Sequence, residues 1–101
     1  MPITVNRQPG GLAIVLSGEI DHHGARVMMQ QLEDAIARDL PMHLTLDLSG
    51  VTFMDSSGIA VLLRTLRQMN QLGGTLRVTA IPAQARRVLD AAGVGRLITL
   101  E

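Results

Sequence analysis

At 101 residues, 47% hydrophobic and 18% charged, the chain has the length of one domain, enough apolar residues for a core and too little charge for a disordered tail. Nine acidic residues balance nine arginines, lysine, cysteine, tryptophan and tyrosine are missing, and Phe53 is the single aromatic. That excludes disulfides, thiolate metal sites, cysteine nucleophiles and lysine chemistry, and it argues against a nucleic-acid surface or a base-stacking platform.

No apolar run approaches the ~18 residues of a membrane-spanning helix, and Met1 to Gly10 lacks the basic-then-apolar profile of a signal peptide. Residues 1–101 are therefore expected to form a single cytoplasmic domain.

The elements read in chain order as follows. Ile3 to Asn6 predicts a short strand. The turn-rich Asn6 to Gly11 leads into the apolar run Leu12 to Leu16, a second strand closed by Gly18. Asp21 to Arg38 has helical periodicity, with Ala25, Met28, Met29, Leu32, Ala35 and Ile36 on one stripe and Leu40-Pro41 as the stop. His43 to Ser49 alternates, with Leu44, Leu46 and Leu48 on one side and Thr45, Asp47 and Ser49 on the other, and Leu76, Val78 and Ala80 repeat that pattern. Strands covered on both faces would be apolar throughout, so the pattern predicts a sheet with helices on one face and water on much of the other. Ser57 to Leu72 is a second helix with Ile59, Leu62, Leu63 and Leu66 as its core stripe, ended by Gly73-Gly74. Ala83 to Ala92 is a third, with Ala85, Val88, Leu89 and Ala92 inward, and Leu97 to Leu100 a last short strand. The predicted order is β-β-α-β-α-β-α-β.

The informative segment is the junction Val51-Thr52-Phe53-Met54-Asp55-Ser56-Ser57-Gly58. Asp-Ser-Ser-Gly falls where a helix begins, and a helix N-terminus offers unpaired amide hydrogens and partial positive charge. A phosphate on a serine there is electrostatically favoured. Gly58 leaves room for close approach by a partner. The plainer reading makes Ser56 or Ser57 the helix cap and Asp55 a first-turn acid. That reading leaves Val61 unexplained: at ~100° per residue it lies about 200° round the helix from Ile59, an apolar residue facing outward near the serines, with Arg64 and Arg67 on an adjoining flank. Together these residues read as a docking surface. Met28, Met29 and Met69 read as core, whereas Met54 precedes the serines and its pliable side chain also suits a partner surface.

Asp21 is well placed to cap the first helix. His22 and His23 follow it, but adjacent helical histidines point about 100° apart and do not chelate as i, i+4 pairs do. With no supporting ligand cluster, no metal is expected; surface contact or first-turn solvation fits them better.

The stretch from Leu46 to Ile59, LDLSGVTFMDSSGI, resembles the signature of the STAS domain of bacterial anti-sigma factor antagonists. Gly18-Glu19-Ile20-Asp21-His22-His23 is similar to that family's first conserved loop, and Asp-His-His resembles its SpoIIAA-like sporulation branch in particular. The resemblance spans nearly the whole chain. It implies an α/β (α+β type) STAS fold, a four- to five-stranded mixed sheet with helices packed mainly on one face.

By the resemblance, Ser56 is the serine phosphorylated by the anti-sigma factor, an ATP-dependent, SpoIIAB-like serine kinase. The unphosphorylated antagonist binds that kinase and frees the sigma factor, and a PP2C-type phosphatase resets the switch. The implied partner surface comprises Asp21, His22, His23, Met54, Asp55, Ser57, Gly58, Val61 and Arg64. The protein is then a kinase substrate, with no cofactor and no nucleic-acid or membrane partner. Asp21 serves in this picture both as a cap and as part of the rim that places the acceptor. SpoIIAA-like members usually continue past the last strand into a C-terminal helix, whereas this sequence stops at Glu101, as a trimmed chain or a shorter member; that leaves open how the final strand is covered and whether a self-association surface is exposed.

Two other functions compete. A serine hydrolase would use Ser56 or Ser57 with His22, His23 or His43 as base, but no Gly-x-Ser-x-Gly elbow is present. A STAS module of another role, such as a general-stress (RsbV-like) antagonist, a stressosome scaffold or a nucleotide- or lipid-binding domain, would share the fold.

Overall fold

The computed structural model describes residues 2–101. A hairpin of β1 (Ile3–Gln8) and β2 (Gly11–Ile20) leads into α1 (His22–Asp39), β3 (His43–Met54), α2 (Ser56–Gln71), β4 (Thr75–Thr79) and α3 (Ala83–Ala91). A short 3₁₀ turn, Val94–Arg96, precedes β5 (Thr99–Leu100). The strands lie side by side in chain order, β1-β2-β3-β4-β5, antiparallel at the hairpin and parallel thereafter.

That order dictates where the helices go. Each β-α-β crossover moves one strand along in the same direction. Crossovers of the same hand, the right-handed one being strongly preferred, then set α1, α2 and α3 on one face of the sheet. The residues agree. In β2, Leu12, Ile14, Leu16 and Ile20 are buried, and in β3, Leu44, Leu46 and Leu48 are buried, while the alternate residues Thr45 and Asp47 are partly exposed. Ala25, Met28, Leu32, Ala35 and Ile36 of α1 cover the dry face, with Met29 packed at its margin. The five-stranded mixed sheet with helices on one face matches the expected fold class.

Several boundaries differ from the sequence expectation. β2 does not close at Gly18 but continues to Ile20, and β3 continues past Ser49 to Met54. From Gly11↔His43 to Ile20↔Met54, β3 spends two residues more than β2, with shifts near Ser17 and near Glu19. Each extra residue is a bulge that locally breaks the alternation. The first bulge turns Val51 to the dry side and the second returns Met54 to it, so Thr52 and Phe53 between them are both left exposed. In α3 only Ala85 and Leu89 are buried; Val88 is half-buried and Ala92 exposed.

The clearest correction concerns α2. Its buried residues are Gly58, Val61, Leu62, Thr65 and Met69. The predicted stripe through Ile59, Leu62, Leu63 and Leu66 is rotated from this by about 90° at 3.6 residues per turn. Val61, expected outward, is 0% exposed, and Leu63, expected inward, is exposed. The true stripe contains a glycine and a threonine, so counting large apolar residues pulls its apparent centre toward Leu63. Thr65 is tolerated inside because its hydroxyl donates to the Val61 carbonyl at 2.9 Å. Val61→Asp is therefore expected to cost about 4 kcal/mol or more, because it buries an unpaired carboxylate. Urea unfolding measures this, and a near-wild-type midpoint would contradict the inward placement.

Candidate functional site

Two strand-to-helix junctions meet at the carboxyl end of the parallel sheet. Ile20 and Met54 end β2 and β3 as register partners, and the Asp55 amide donates across to the Ile20 carbonyl at 3.2 Å. Each strand is followed by an aspartate that caps the next helix. The Asp21 carboxylate accepts from the Gly24 amide at 2.8 Å, and the Asp55 carboxylate accepts from the Ser57 amide at 2.7 Å. Asp-His-His-Gly and Asp-Ser-Ser-Gly are thus the same local device used twice, side by side. Asp21 follows Ile20, whose carbonyl accepts from the Asp55 amide, so the two capping aspartates stand at the same edge of the sheet.

The caps correct one assignment. Neither serine is the cap; Asp55 is, and Ser56 is the first residue of α2. Ser56 is exposed, Ser57 is half-buried, and Asp55 and Asp21 are half-buried. His22 and His23, in the first turn of α1, are both exposed. His43, the third histidine, starts β3 and so lies a whole strand away from the serines, where its Nδ1 sits 2.8 Å from the Thr75 hydroxyl. Among the described residues no group of three or more histidine, aspartate or glutamate side chains is arranged to hold a metal ion.

Three of the residues expected to face a partner point inward instead. Met54 is buried with 0% exposure, Gly58 is buried, and Val61 lies in the core as described above. Gly58 does leave room, but Met54 fills it: a Cβ on Gly58 would fall against the Met54 side chain. The close approach is between strand and helix, not between protein and partner. Gly24 plays the corresponding part in α1, where a Cβ would meet the Glu19 carbonyl. Arg64 is exposed, but it lies eight residues along α2 from Ser56, about 12 Å at 1.5 Å per residue. There it is paired with Glu33 of α1 at 2.6 Å. The structure therefore places Asp21, His22 and His23 on one of two neighbouring junctions and Asp55, Ser56 and Ser57 on the other, with Met54, Gly58 and Val61 buried beneath the start of α2.

Two residues at this end escaped the sequence reading. Phe53 is 42% exposed, an apolar side chain one residue before the buried Met54, exposed because of the second bulge. Gln84, in the first turn of α3, accepts from the Met54 amide at 2.8 Å and donates to the Met54 carbonyl at 2.7 Å. No local pattern marks it, since its partner is 30 residues away.

Of the two serines at the N-terminus of α2, Ser56 is the more exposed, with the Asp55 carboxylate adjacent and Asp21 at the neighbouring junction. A phosphate placed there would be favoured by the helix amides and opposed by the two acids. Gly58→Ala would gain helix propensity worth up to about 1 kcal/mol, but overpacking against Met54 costs about 1–3 kcal/mol. Net destabilisation by thermal or urea unfolding is expected; stabilisation would contradict the packing of Met54 under the first turn. Asp55→Ala removes the cap and is expected to cost about 1 kcal/mol in the same measurement.

A family model described as "Mlab, STAS domain" matches residues 3–99. An anti-sigma F factor antagonist of Paenibacillus polymyxa is 34% identical over 100 residues, which are 99% of this chain and 86% of that protein. The crystal structure of an anti-sigma factor antagonist from Mycobacterium paratuberculosis superposes with a TM-score of 0.85 at 28% identity, over 97% of this chain and 82% of that one. SpoIIAA in its unphosphorylated form superposes with a TM-score of 0.81 at 22% identity, over 98% of this chain and 87% of that one. Bacillus SpoIIAA in its phosphorylated form gives 0.72 at 22% identity, over 98% and 90%. With the matched domain covering almost the whole chain, this protein belongs to the STAS-domain family of anti-sigma factor antagonists.

Proposed function

We propose that this chain is the phosphorylatable member of a partner-switching circuit and that Ser56 is its acceptor. Unphosphorylated, it binds an anti-sigma factor through the exposed residues at the starts of α1 and α2, and the sigma factor is released. The anti-sigma factor is also the kinase: the Ser56 hydroxyl oxygen bonds to the γ-phosphorus of ATP, ADP leaves, and the hydroxyl proton passes to a base of the kinase. A PP2C-type phosphatase reverses the step. The chain itself acts as substrate and ligand rather than as an enzyme, and the circuit operates in the cytoplasm.

The observation that carries this reading is the contrast within one motif. Ser56 is exposed, while Met54 and Gly58 on either side of it are buried. A hydroxyl held out on a rigid strand-to-helix junction is accessible to another protein's active site. Phosphorylation adds about 1.5 to 2 negative charges. Asp55 is adjacent and Asp21 belongs to the neighbouring junction, so the added charge and bulk disfavour docking without any need to refold the domain. The anti-sigma F factor antagonist relative and the phosphorylated form of SpoIIAA support the assignment, and they favour the sporulation branch over the general-stress one.

A hydrolase reading gains no support. It requires a base engaged with the nucleophile; His43 is at the other end of β3, and His22 and His23 are exposed in the first turn of α1, with no hydrogen bond to Ser56 or Ser57 among the described residues.

Intact mass and peptide mapping after incubation with the cognate anti-sigma factor and ATP test the proposal. One added phosphate on Ser56, abolished by Ser56→Ala, is expected. Ser56→Asp is expected to weaken binding to the anti-sigma factor by about tenfold or more through like-charge repulsion, measured by calorimetry. A phosphate on Ser57 would reassign the acceptor, and no phosphate with a kinase active on another substrate would refute the circuit.

A further inference from the structure

We propose that Gln84 is a positioning residue for phosphoryl transfer onto Ser56, acting through the backbone of Met54. The inference rests on Ser56 being the acceptor.

β4 pairs with β3 only from His43 to Asp47, where it reaches its own end at Thr79. Beyond that point β3 continues to Met54 with β2 as its strand neighbour on one side only. In a parallel sheet the N–H and C=O of one residue point to the same side, and successive residues alternate. The Asp55 amide reaches the Ile20 carbonyl on the β2 side. Both polar groups of Met54 therefore point to the side that β4 has vacated.

Gln84 occupies that side. Its carboxamide carries one acceptor and a donor, the same pair a peptide group presents. It takes the Met54 amide at 2.8 Å and gives to the Met54 carbonyl at 2.7 Å, in partly buried surroundings. One side chain thus stands in for a missing strand residue. Its own anchor is firm, because the next residue, Ala85, and Leu89 one turn on are both buried in the core.

The consequence falls on the acceptor. Met54 is followed by Asp55, whose amide and carboxylate are both engaged, and then by Ser56. With Met54 clamped between Gln84 and the core, little freedom remains in the two steps of backbone that lead to the Ser56 hydroxyl. Gln84 touches neither that hydroxyl nor the nucleotide. It acts by fixing where the oxygen stands when it attacks the γ-phosphorus of ATP, with ADP leaving and the proton passing to the kinase. Transfer of this kind is sensitive to placement: a displacement of about 1 Å costs on the order of 100-fold.

Two variants test this. Gln84→Leu removes both hydrogen bonds at similar bulk, and Gln84→Glu keeps the acceptor but sets a carboxylate oxygen against the Met54 carbonyl. Phosphorylation by the anti-sigma kinase is followed with kcat and KM separated, and amide hydrogen exchange is read at Met54 and at the distant Leu32. Both variants are expected to lower kcat by roughly tenfold or more. In Gln84→Leu, exchange at Met54 should rise by about tenfold, as the loss of the amide's hydrogen bond predicts, with Leu32 unchanged; Gln84→Glu, which keeps an acceptor for that amide, is read by its kcat. Faster exchange at Met54 with kcat within about twofold of wild type would overturn the proposal, since the clamp would then be purely structural. Unchanged exchange at Met54 in Gln84→Leu would overturn it too. If Gln84→Leu fails to fold, Gln84→Glu decides. A wild-type chain that takes no phosphate on Ser56 removes the acceptor assignment itself, whereas equal rates in variant and wild type remove only the role of Gln84.

Discussion

The parallel register that ends β2 at Ile20 and β3 at Met54 is the constraint on which the site depends. Because the two strands finish level, the residues that follow them, Asp21 and Asp55, begin two helices at the same height on the same edge. The Asp55 amide bonded to the Ile20 carbonyl locks the two ends together. β3 reaches this level only by carrying two more residues than β2 over the paired stretch. A single bulge would have turned Met54 to the wet face and taken the first turn of α2 off the core, since one residue of slip exchanges the faces of a strand. Two bulges extend the strand and keep Met54 inside.

From that register follows a division of labour within a short segment. Met54, Gly58 and Val61 hold the start of α2 against the sheet. Asp55 satisfies the Ser57 amide, and Gln84 satisfies the last strand residue. Backbone polar groups left unpaired in a partly buried place cost about 1–3 kcal/mol each, so these polar contacts are as much part of the scaffold as the apolar ones. What is left facing outward is small: two histidines, Phe53, Ser56, part of Ser57 and the edges of two carboxylates.

Much of this was legible in the residues. The alternation of Leu44, Leu46 and Leu48 with polar neighbours was enough to predict a one-sided sheet, and the stripe of α1 was read correctly because its core positions are themselves the apolar ones. Asp21 as a cap followed from its type and place. The phase of α2 was misread because Gly58 and Thr65 are core positions that do not look apolar, while Leu63 is exposed although it does. The inward packing of Met54 under Gly58 was missed for a related reason: a glycine at a helix start serves a turn, a partner or a close packing contact equally well, and only the neighbouring side chain decides. Gln84 was invisible because its role depends on where β4 stops, which is a property of the sheet and not of any local pattern.

The rigidity of the junction bears on how a phosphate could act. A loop held by a few solvent-exposed contacts can reorganise when charge is added. Here the backbone around Ser56 is held from three directions: by β2 through Ile20, by α3 through Gln84 and by the core through Met54. Moving it would break hydrogen bonds and core packing together, whereas adding a charged group to an exposed side chain disturbs neither. The surroundings also divide the charge. The amides at the start of α2 favour a phosphate, and Asp55 and Asp21 oppose it, so the modified side chain is tolerated by the fold while the surface it presents becomes strongly acidic. A partner that fits the unmodified edge then meets like charge or lost contact area. On the proposed reading, the switch is a change in what the edge displays, and the same framework that leaves Ser56 exposed would keep the domain's fold common to both states.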